Sequence, residues 1–181
     1  MTKKIQEIAD KISGYREALL NSVTGLSEAQ INFKPAEDQW AIADILHHLA
    51  LADEANVKLS GLFLKQIQEQ SVPSDPSPDE SVVDCMDKFR ENLNVKAKAP
   101  ERVAPLSHLP APESLARLQA SREKLMQAMS GLSDYDLSRV SFPHPLLGPL
   151  NGYQWLMIAG LHESRHATQI ERIKSGEGFP G

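Results

Sequence analysis

The stretch LHESRHATQIERI, residues 161–173, places two histidines, His162 and His166, four positions apart. At about 100° per residue of an α-helix, both share a stripe with Trp155, Ile158 and Ile173 that should face a protein core. A buried imidazole needs a partner for each ring nitrogen, and two imidazoles one turn apart can share a cation. Because one helix supplies two nitrogen ligands to zinc at this spacing, we expect His162 and His166 to bind a metal ion.

A third histidine lies on an earlier helical segment, WAIADILHHLALADEA. By the same angular count His48 shares its face with small residues, whereas His47 lies about 100° away. His48 should therefore point inward and His47 sideways. The small side chains beside His48 leave space, as expected next to a pocket rather than in a packed seam. That face comprises Ala41, Asp44, His48, Ala52, Ala55 and Leu59.

Three neutral imidazoles would leave a divalent ion with its full charge and with open coordination positions. Such an ion lowers the pKa of a bound water or thiol, which then attacks an electrophilic carbon near neutral pH. Asp44 or Gln169 could orient a ligand ring or the nucleophile. Glu163 could act as a base or support a ligand, but its position about 100° from His162 favours a solvated charge at the rim.

Other functions compete with this interpretation. HESRH matches the H-E-x-x-H helix of zinc proteases, but no further histidine follows it and no strand is expected that could hold a peptide. A two-metal carboxylate bundle would need inward carboxylates from the first and third helices as well, which the first helix does not offer. A non-catalytic bundle with a structural metal or a bound ligand also stays open, although a closed structural site normally takes four protein ligands.

Four segments have the periodicity of amphipathic helices, and sustained strand signals are absent. The proline-rich region between the second and third segments forbids a long helix, although residues 81–92 could form a short one. The pattern predicts an all-α fold, a four-helix bundle with a long crossover between the second and third helices, as a single domain over residues 1–181. The predicted helices run over about 5–23, 40–68, 112–129 and 151–175.

The composition is that of an ordinary soluble protein, with 41% hydrophobic and 24% charged residues among 181. The net charge of −5 is spread along the chain, so no basic stripe is available for nucleic acid. No apolar run is long enough for a membrane span or a signal peptide, and we expect a cytoplasmic protein. The lone cysteine, Cys85, is interpreted as a bystander, and His108 and His144 as exposed loop residues.

Taken together, these motifs resemble the DinB/YfiT-like superfamily. Trp40 followed by His48-Leu49 is similar to the family's second-helix pattern, and His162, His166, Gln169 and Ile170 are similar to its late H-x-x-x-H-x-x-Q-I helix. The loop HPLLGPLNGYQW and the stretch PERVAP also look like segments of that family.

The resemblance implies a four-helix bundle with a three-histidine divalent site, most often zinc or nickel, and often a homodimer. Characterised members of the family join low-molecular-weight thiols such as bacillithiol to small-molecule electrophiles, and one is a mycothiol-dependent maleylpyruvate isomerase. We therefore expect a metal-dependent thiol S-transferase or hydrolase, with His48, His162 and His166 as ligands.

Overall fold

The computed structural model describes residues 1–82, 99–105 and 109–181. In these ranges the four long helices pack in a ring: the first along the chain lies against the last, the last against the second, the second against the third, and the third against the first. The predicted four-helix bundle is therefore confirmed. The helices are α1 (Lys3–Val23), the one-turn α2 (Glu28–Ile31), α3 (Ile42–Gln70), α4 (Ala111–Leu132) and α5 (Gly152–Lys174).

Apolar stripes on the helices build the core, as the periodicity predicts. On α1 the buried residues recur at three- and four-residue steps, and Arg16 occupies the stripe position between Ile12 and Leu19. The helices α4 and α5 contribute Leu118, Leu125, Met157 and Ile170 from their own stripes. The apolar positions thus indicate which face of each helix turns inward. The buried aliphatic residues of α1 are Ile5, Ile8, Ile12, Leu19 and Val23.

Local hydrogen bonds set where α5 begins. Asn151 precedes the helix in extended conformation, and its side-chain oxygen accepts a hydrogen bond from the Gln154 amide at 3.0 Å. The Gln154 side chain accepts in return from the Asn151 amide at 2.9 Å. This reciprocal cap satisfies two amides that a helix start leaves without partners.

Residues 141–151 differ from the loop that the sequence predicts. They form an antiparallel hairpin of β1 (Ser141–His144) and β2 (Gly148–Asn151), in which Gly148 adopts a φ of +73° that a side chain would disfavour. The indole of Trp155 on α5 donates to the Phe142 carbonyl at 3.0 Å and ties the hairpin to the bundle. His144 is consequently half-buried against Trp155, with ring centroids 5.0 Å apart, and is not the exposed loop residue expected.

Some predictions fall on parts of the chain that the structure does not describe. Cys85 and His108 lie outside the described residues, as does nearly all of the short helix expected over residues 81–92. Within the described part of the chain, no helix is both long enough and apolar enough to cross a membrane.

The crossing of α1 and α5 depends on the absence of a side chain at Gly160. A Cβ atom built there would lie 2.7 Å from the Ile12 Cγ2 and 2.8 Å from the Tyr15 Cδ2, closer than packed atoms allow. Gly160→Ala should therefore force the helices apart and lower the free energy of unfolding by about 1–3 kcal/mol. Urea unfolding of the metal-free protein measures this change.

Gly14→Ala is the matched control, because Gly14 also lies within a long helix but has nothing within 4 Å of the added carbon. It should leave the stability unchanged or raise it by up to about 1 kcal/mol, since alanine is the better helix former. Equal effects of the two substitutions would show that close packing at Gly160 does not set the crossing.

Candidate metal centre

Three imidazole rings from two helices meet inside the bundle. His48 comes from α3, and His162 and His166 come from successive turns of α5. The Nε2 atom of His162 lies 3.1 Å from Nε2 of His48 and 3.0 Å from Nε2 of His166. The three potential ligand atoms all lie within 4.8 Å of one another. The structure thus brings together the three histidines that the sequence singles out.

A backbone carbonyl sets the orientation of the His48 ring. The Nδ1 atom of His48 lies 2.7 Å from the carbonyl oxygen of Val103, in the short 3-10 turn Glu101–Val103 of the crossover. Because a carbonyl oxygen only accepts, Nδ1 must carry the proton and donate it. In the neutral ring, Nε2 is then left with its lone pair directed at the other two histidines.

A side-chain amide does the same for His166. Its Nδ1 atom lies 2.9 Å from Oε1 of Gln169, one turn further along α5. With Nδ1 donating to this oxygen, the Nε2 atom of His166 also presents a lone pair to the cluster. Gln169 therefore takes the supporting position that its spacing from His166 suggests.

The donor set fits a divalent cation. Two nitrogen ligands of a tetrahedral zinc ion, each about 2.0–2.1 Å from it, lie about 3.3 Å apart. Two of the observed spacings, 3.0 and 3.1 Å, are close to this value, and all three nitrogens lie within 4.8 Å of one another. The lone pairs on Nε2 of His48 and of His166 both point at His162, and they repel each other unless a proton or a cation lies between them. A shared cation satisfies all three nitrogens at once.

Burial keeps the three rings neutral. It is the largest cause of a lowered pKa for each histidine, and it brings the pKa of His166 to about 3 and that of His162 well below its ordinary value. The positive charge of Arg165 lowers all three pKa values further. The rings are therefore in the deprotonated state that binds a metal at neutral pH.

Trp40 covers one side of the cluster. Its ring centroid lies 4.9 Å from that of His48 and 6.4 Å from that of His166, with the second pair nearly parallel. Trp40 precedes α3 and is itself half-buried. It forms an apolar wall against two of the ligand rings and keeps water from that side of the site.

Comparison with known proteins shows the family of the chain. A sequence model of the DinB superfamily matches residues 12–170. The chain belongs to the DinB superfamily. "Uncharacterized protein YuaE" of Bacillus subtilis (strain 168) is 30% identical to this DinB protein over 167 residues, which cover 90% of this chain and 96% of YuaE. The superfamily resemblance noted in the sequence is thus confirmed.

A second relative of this DinB protein comes from Geobacillus kaustophilus (strain HTA426) and bears the name "Putative metal-dependent hydrolase GK0616". It is 23% identical over 176 residues, covering 97% of this chain and 87% of the relative. The crystal structure of "TT2238, a four-helix bundle protein" superimposes with a TM-score of 0.58 at 21% identity and covers 92% of this chain and 98% of TT2238. That last likeness shows the shared fold.

Glu163 is not the solvated rim charge that its helical position suggested. It is 1% exposed, and its Oε1 atom accepts hydrogen bonds from Arg16 Nε at 2.9 Å and from Arg122 Nη2 at 2.8 Å. Burial raises the pKa of Glu163, while the two guanidinium groups oppose that shift. Because this carboxylate is engaged by arginines of α1 and α4, it cannot serve as the general base of an H-E-x-x-H protease.

Among the described residues, Asp44 bonds to the backbone and not to a ligand imidazole. Its Oδ2 atom accepts from the backbone amide of Ala41 at 3.0 Å, which caps the start of α3. A carboxylate at a helix N-terminus is stabilised there by the free amides, so this position follows from helix chemistry rather than from the site. His47 lies on the neighbouring face as expected, with Nε2 3.4 Å from Arg117 on α4.

Val103 is the contributor that the sequence analysis missed. Side-chain patterns do not mark a backbone carbonyl, and the residue reaches His48 across 55 positions of chain. The resemblance of PERVAP to a family segment was the one available signal, and it did not specify the hydrogen bond.

Gln169→Ala should weaken metal binding without unfolding the protein. Removing the hydrogen-bond partner of a ligand imidazole typically costs about 10–100-fold in metal affinity. Competition with a chromophoric zinc chelator measures this change. Thr168→Ala is the control, because Thr168 is exposed on the same helix and bonds within its own turn, to the Ser164 carbonyl at 3.1 Å. Equal affinities for the two variants would contradict the role of Gln169.

Proposed function

We propose that this protein is a divalent-metal-dependent enzyme of the hydrolase or thiol S-transferase type, with zinc or nickel bound by His48, His162 and His166. The observation that carries the proposal is the convergence of three Nε2 atoms, from the buried His48 and His166 and the half-buried His162, with two of them turned inward by hydrogen bonds at the opposite ring nitrogen. The relative named as a metal-dependent hydrolase supports the same class.

The number of ligands favours chemistry over a structural role. Structural zinc sites are closed by four protein ligands, whereas catalytic ones use three and leave a position for water or substrate. Among the residues that the structure describes, the one cluster able to hold an ion consists of these three histidines, with no cysteine or carboxylate added. With these three ligands, the proposed centre is of the open type.

The residues around the cluster prepare it for a nucleophile. A divalent ion held by neutral imidazoles keeps its double charge and lowers the pKa of a water or thiol bound to it. Val103 and Gln169 fix two rings so that their lone pairs face the centre. Trp40 shields one side, which limits competing water and confines the substrate to the remaining approach.

The proposed substrates are small. A small-molecule electrophile would be attacked either by water, in a hydrolase, or by a low-molecular-weight thiol such as bacillithiol, in an S-transferase. In both reactions the nucleophile loses its proton to solvent and its oxygen or sulfur bonds to the electrophilic carbon, while the bond from that carbon to the leaving group breaks and the leaving group departs with the electron pair. A cytoplasmic location and a homodimer remain parts of the proposal, and light scattering of the purified protein measures the second.

Metal analysis combined with two assays tests this proposal. Purified protein is analysed for bound metal, then assayed for ester hydrolysis and for consumption of bacillithiol or cysteine with monochlorobimane as the electrophile. Each assay is repeated after chelation and again after zinc or nickel is restored. We expect turnover in at least one assay that chelation abolishes and metal restores.

The alternative function is a non-catalytic bundle that binds a small ligand or a structural metal. It predicts bound metal with no turnover in either assay, or turnover that chelation does not change. Either of these results would contradict the enzymatic proposal while leaving the metal site intact. His47→Ala serves as the control in the metal analysis and in both assays. His47 lies next to His48 in sequence but faces Arg117, so this variant should behave like the unmodified protein.

A further inference from the structure

A second polar cluster lies at the centre of the bundle and is not used by the proposed chemistry. It contains two arginines and two carboxylates, one residue from each long helix: Arg16, Asp53, Arg122 and Glu163. Each of these residues is 6% exposed or less. Glu163 directly follows His162, so the cluster adjoins the metal centre in sequence as well as on the same helix.

We propose that this cluster is a positioning device for the metal ligands, which fixes the rotation of α5 about its axis so that His162 and His166 face His48. The inference rests on the proposed metal site. Glu163 is its positioning residue on α5, and the other three members hold the Glu163 carboxylate in place.

Each of the two carboxylates accepts hydrogen bonds from both arginines. Arg16 donates to Glu163 Oε1 through Nε at 2.9 Å and to Asp53 Oδ2 through Nη2 at 2.8 Å. Arg122 donates to Glu163 Oε1 through Nη2 at 2.8 Å and to Asp53 Oδ2 through Nε at 3.1 Å. A planar guanidinium group forms such paired bonds only in a narrow range of orientations. The direction of the Glu163 side chain is therefore fixed by two other helices.

The guanidinium groups are themselves anchored to backbone. Arg16 on α1 donates through Nη1 to the Leu118 carbonyl of α4 at 2.9 Å. Arg122 on α4 donates through Nη1 to the Ile12 carbonyl of α1 at 3.2 Å. Each arginine thus connects α1 and α4 to each other and also binds Glu163. The hydrogen bonds that hold Glu163 therefore come from two helices that are bonded to each other and are separate from α5.

The charged cluster does not give the highest stability that residues at these positions could provide. Its two positive and two negative charges balance, but the Oε2 atom of Glu163 is buried with no hydrogen-bond partner among the described residues. An unpaired buried oxygen costs about 1–3 kcal/mol, and well-packed apolar residues often replace a buried ion pair without loss. Charged residues at these positions, despite this cost in stability, are consistent with a requirement to orient α5.

Rotation of α5 acts directly on the ligands. Glu163 and His162 are adjacent residues of the same helix. Any rotation of α5 about its axis that moves Glu163 therefore turns His162 through the same angle. For an imidazole nitrogen about 7 Å from the helix axis, a rotation of about 10° is a displacement of about 1 Å. Metal–nitrogen distances tolerate only about 0.2 Å. A loosened α5 should therefore disturb the metal geometry before it unfolds the bundle.

Cobalt(II) binding tests the proposal, because the d–d absorption of bound cobalt reports ligand geometry and an unfolding curve does not. The variants are Glu163→Gln, which removes the negative charge, and Arg16→Lys, which keeps the charge but loses the paired bonds. We expect both to alter the cobalt spectrum and to lower cobalt affinity, Glu163→Gln by about 10–100-fold. Because Arg16→Lys changes no charge near the ion, an effect of this variant on cobalt binding reports positioning and not electrostatics.

Lys4→Met is the matched control. It breaks a different buried ion pair, Lys4 with Asp75 at 3.0 Å, and should lower stability while leaving the cobalt spectrum and affinity unchanged. If Glu163→Gln and Arg16→Lys behave like Lys4→Met, the cluster is only structural and the inference is wrong, although the metal site stands. If the unmodified protein does not bind cobalt, the proposed function itself fails, and this inference with it.

Discussion

His48→Ala should lower the affinity of the protein for Zn²⁺ by more than about 100-fold, since even the loss of a hydrogen-bond partner behind a ligand costs about 10–100-fold. The substitution removes one of three nitrogens that lie within 4.8 Å of one another. The Trp40 ring, 4.9 Å from His48, would then pack against a void. Isothermal titration of chelator-treated protein measures the affinity.

His47→Ala is the control for that result. His47 is also buried, at 6% exposed, so its removal perturbs the same helix to a similar extent. Its ring nevertheless faces Arg117 and contributes no atom to the metal cluster. We expect an affinity within about twofold of the unmodified protein, because no ligand or ligand partner is lost. Similar losses in the two variants would show that the inward face of α3 is assigned wrongly.

Arg122→Met should lower the free energy of unfolding by about 3–5 kcal/mol, because it leaves two buried carboxylates with a single guanidinium partner. Arg122 donates to Asp53, to Glu163 and to the Ile12 carbonyl, so the substitution also leaves acceptors unpaired in the core. Urea unfolding in the presence of chelator measures the loss without the stabilisation that a bound metal adds.

The comparison for Arg122 is an arginine in an exposed ion pair. Arg139 pairs with Asp136 at 3.1 Å, but its side chain is 61% exposed. Exposed pairs contribute about 0–1 kcal/mol, so Arg139→Met should change the stability by no more than that. A loss at Arg122 as small as the loss at Arg139 would show that the central cluster does not depend on its charge balance.

Much of the fold follows from sequence pattern, because burial of apolar stripes decides which face of a helix turns inward. The same stripes indicated the shared face of His162 and His166 on α5. Three histidines at matching positions of two helices were enough to suggest the metal centre. These features are local or periodic, and such features can be read without coordinates.

The buried charges were harder to predict, because the partners of Glu163 lie 147 and 41 positions away in the chain. Their angular positions did hold a signal. Arg16 follows Ile12 by one turn, and Arg122 follows Leu118 by one turn, so both arginines lie on apolar stripes. A charged residue on a core stripe indicates a buried partner on another helix, and here that partner was Glu163.

The hairpin and Val103 were missed for a different reason. Residues 141–151 contain prolines and no alternating apolar pattern, and their pairing depends on the turn at Gly148 and on the bond from Trp155 to Phe142. The Val103 carbonyl reaches His48 through backbone chemistry that every residue shares. Such contacts depend on the tertiary structure and leave no mark in residue types.

A crystal structure of the protein grown with zinc, with diffraction data collected on both sides of the zinc absorption edge, examines the centre most directly. The three-histidine centre predicts an anomalous peak bonded to Nε2 of His48, His162 and His166 at about 2.0–2.1 Å, with a solvent molecule completing the coordination. A peak held by other residues, or no peak between these three rings at saturating zinc, would contradict it.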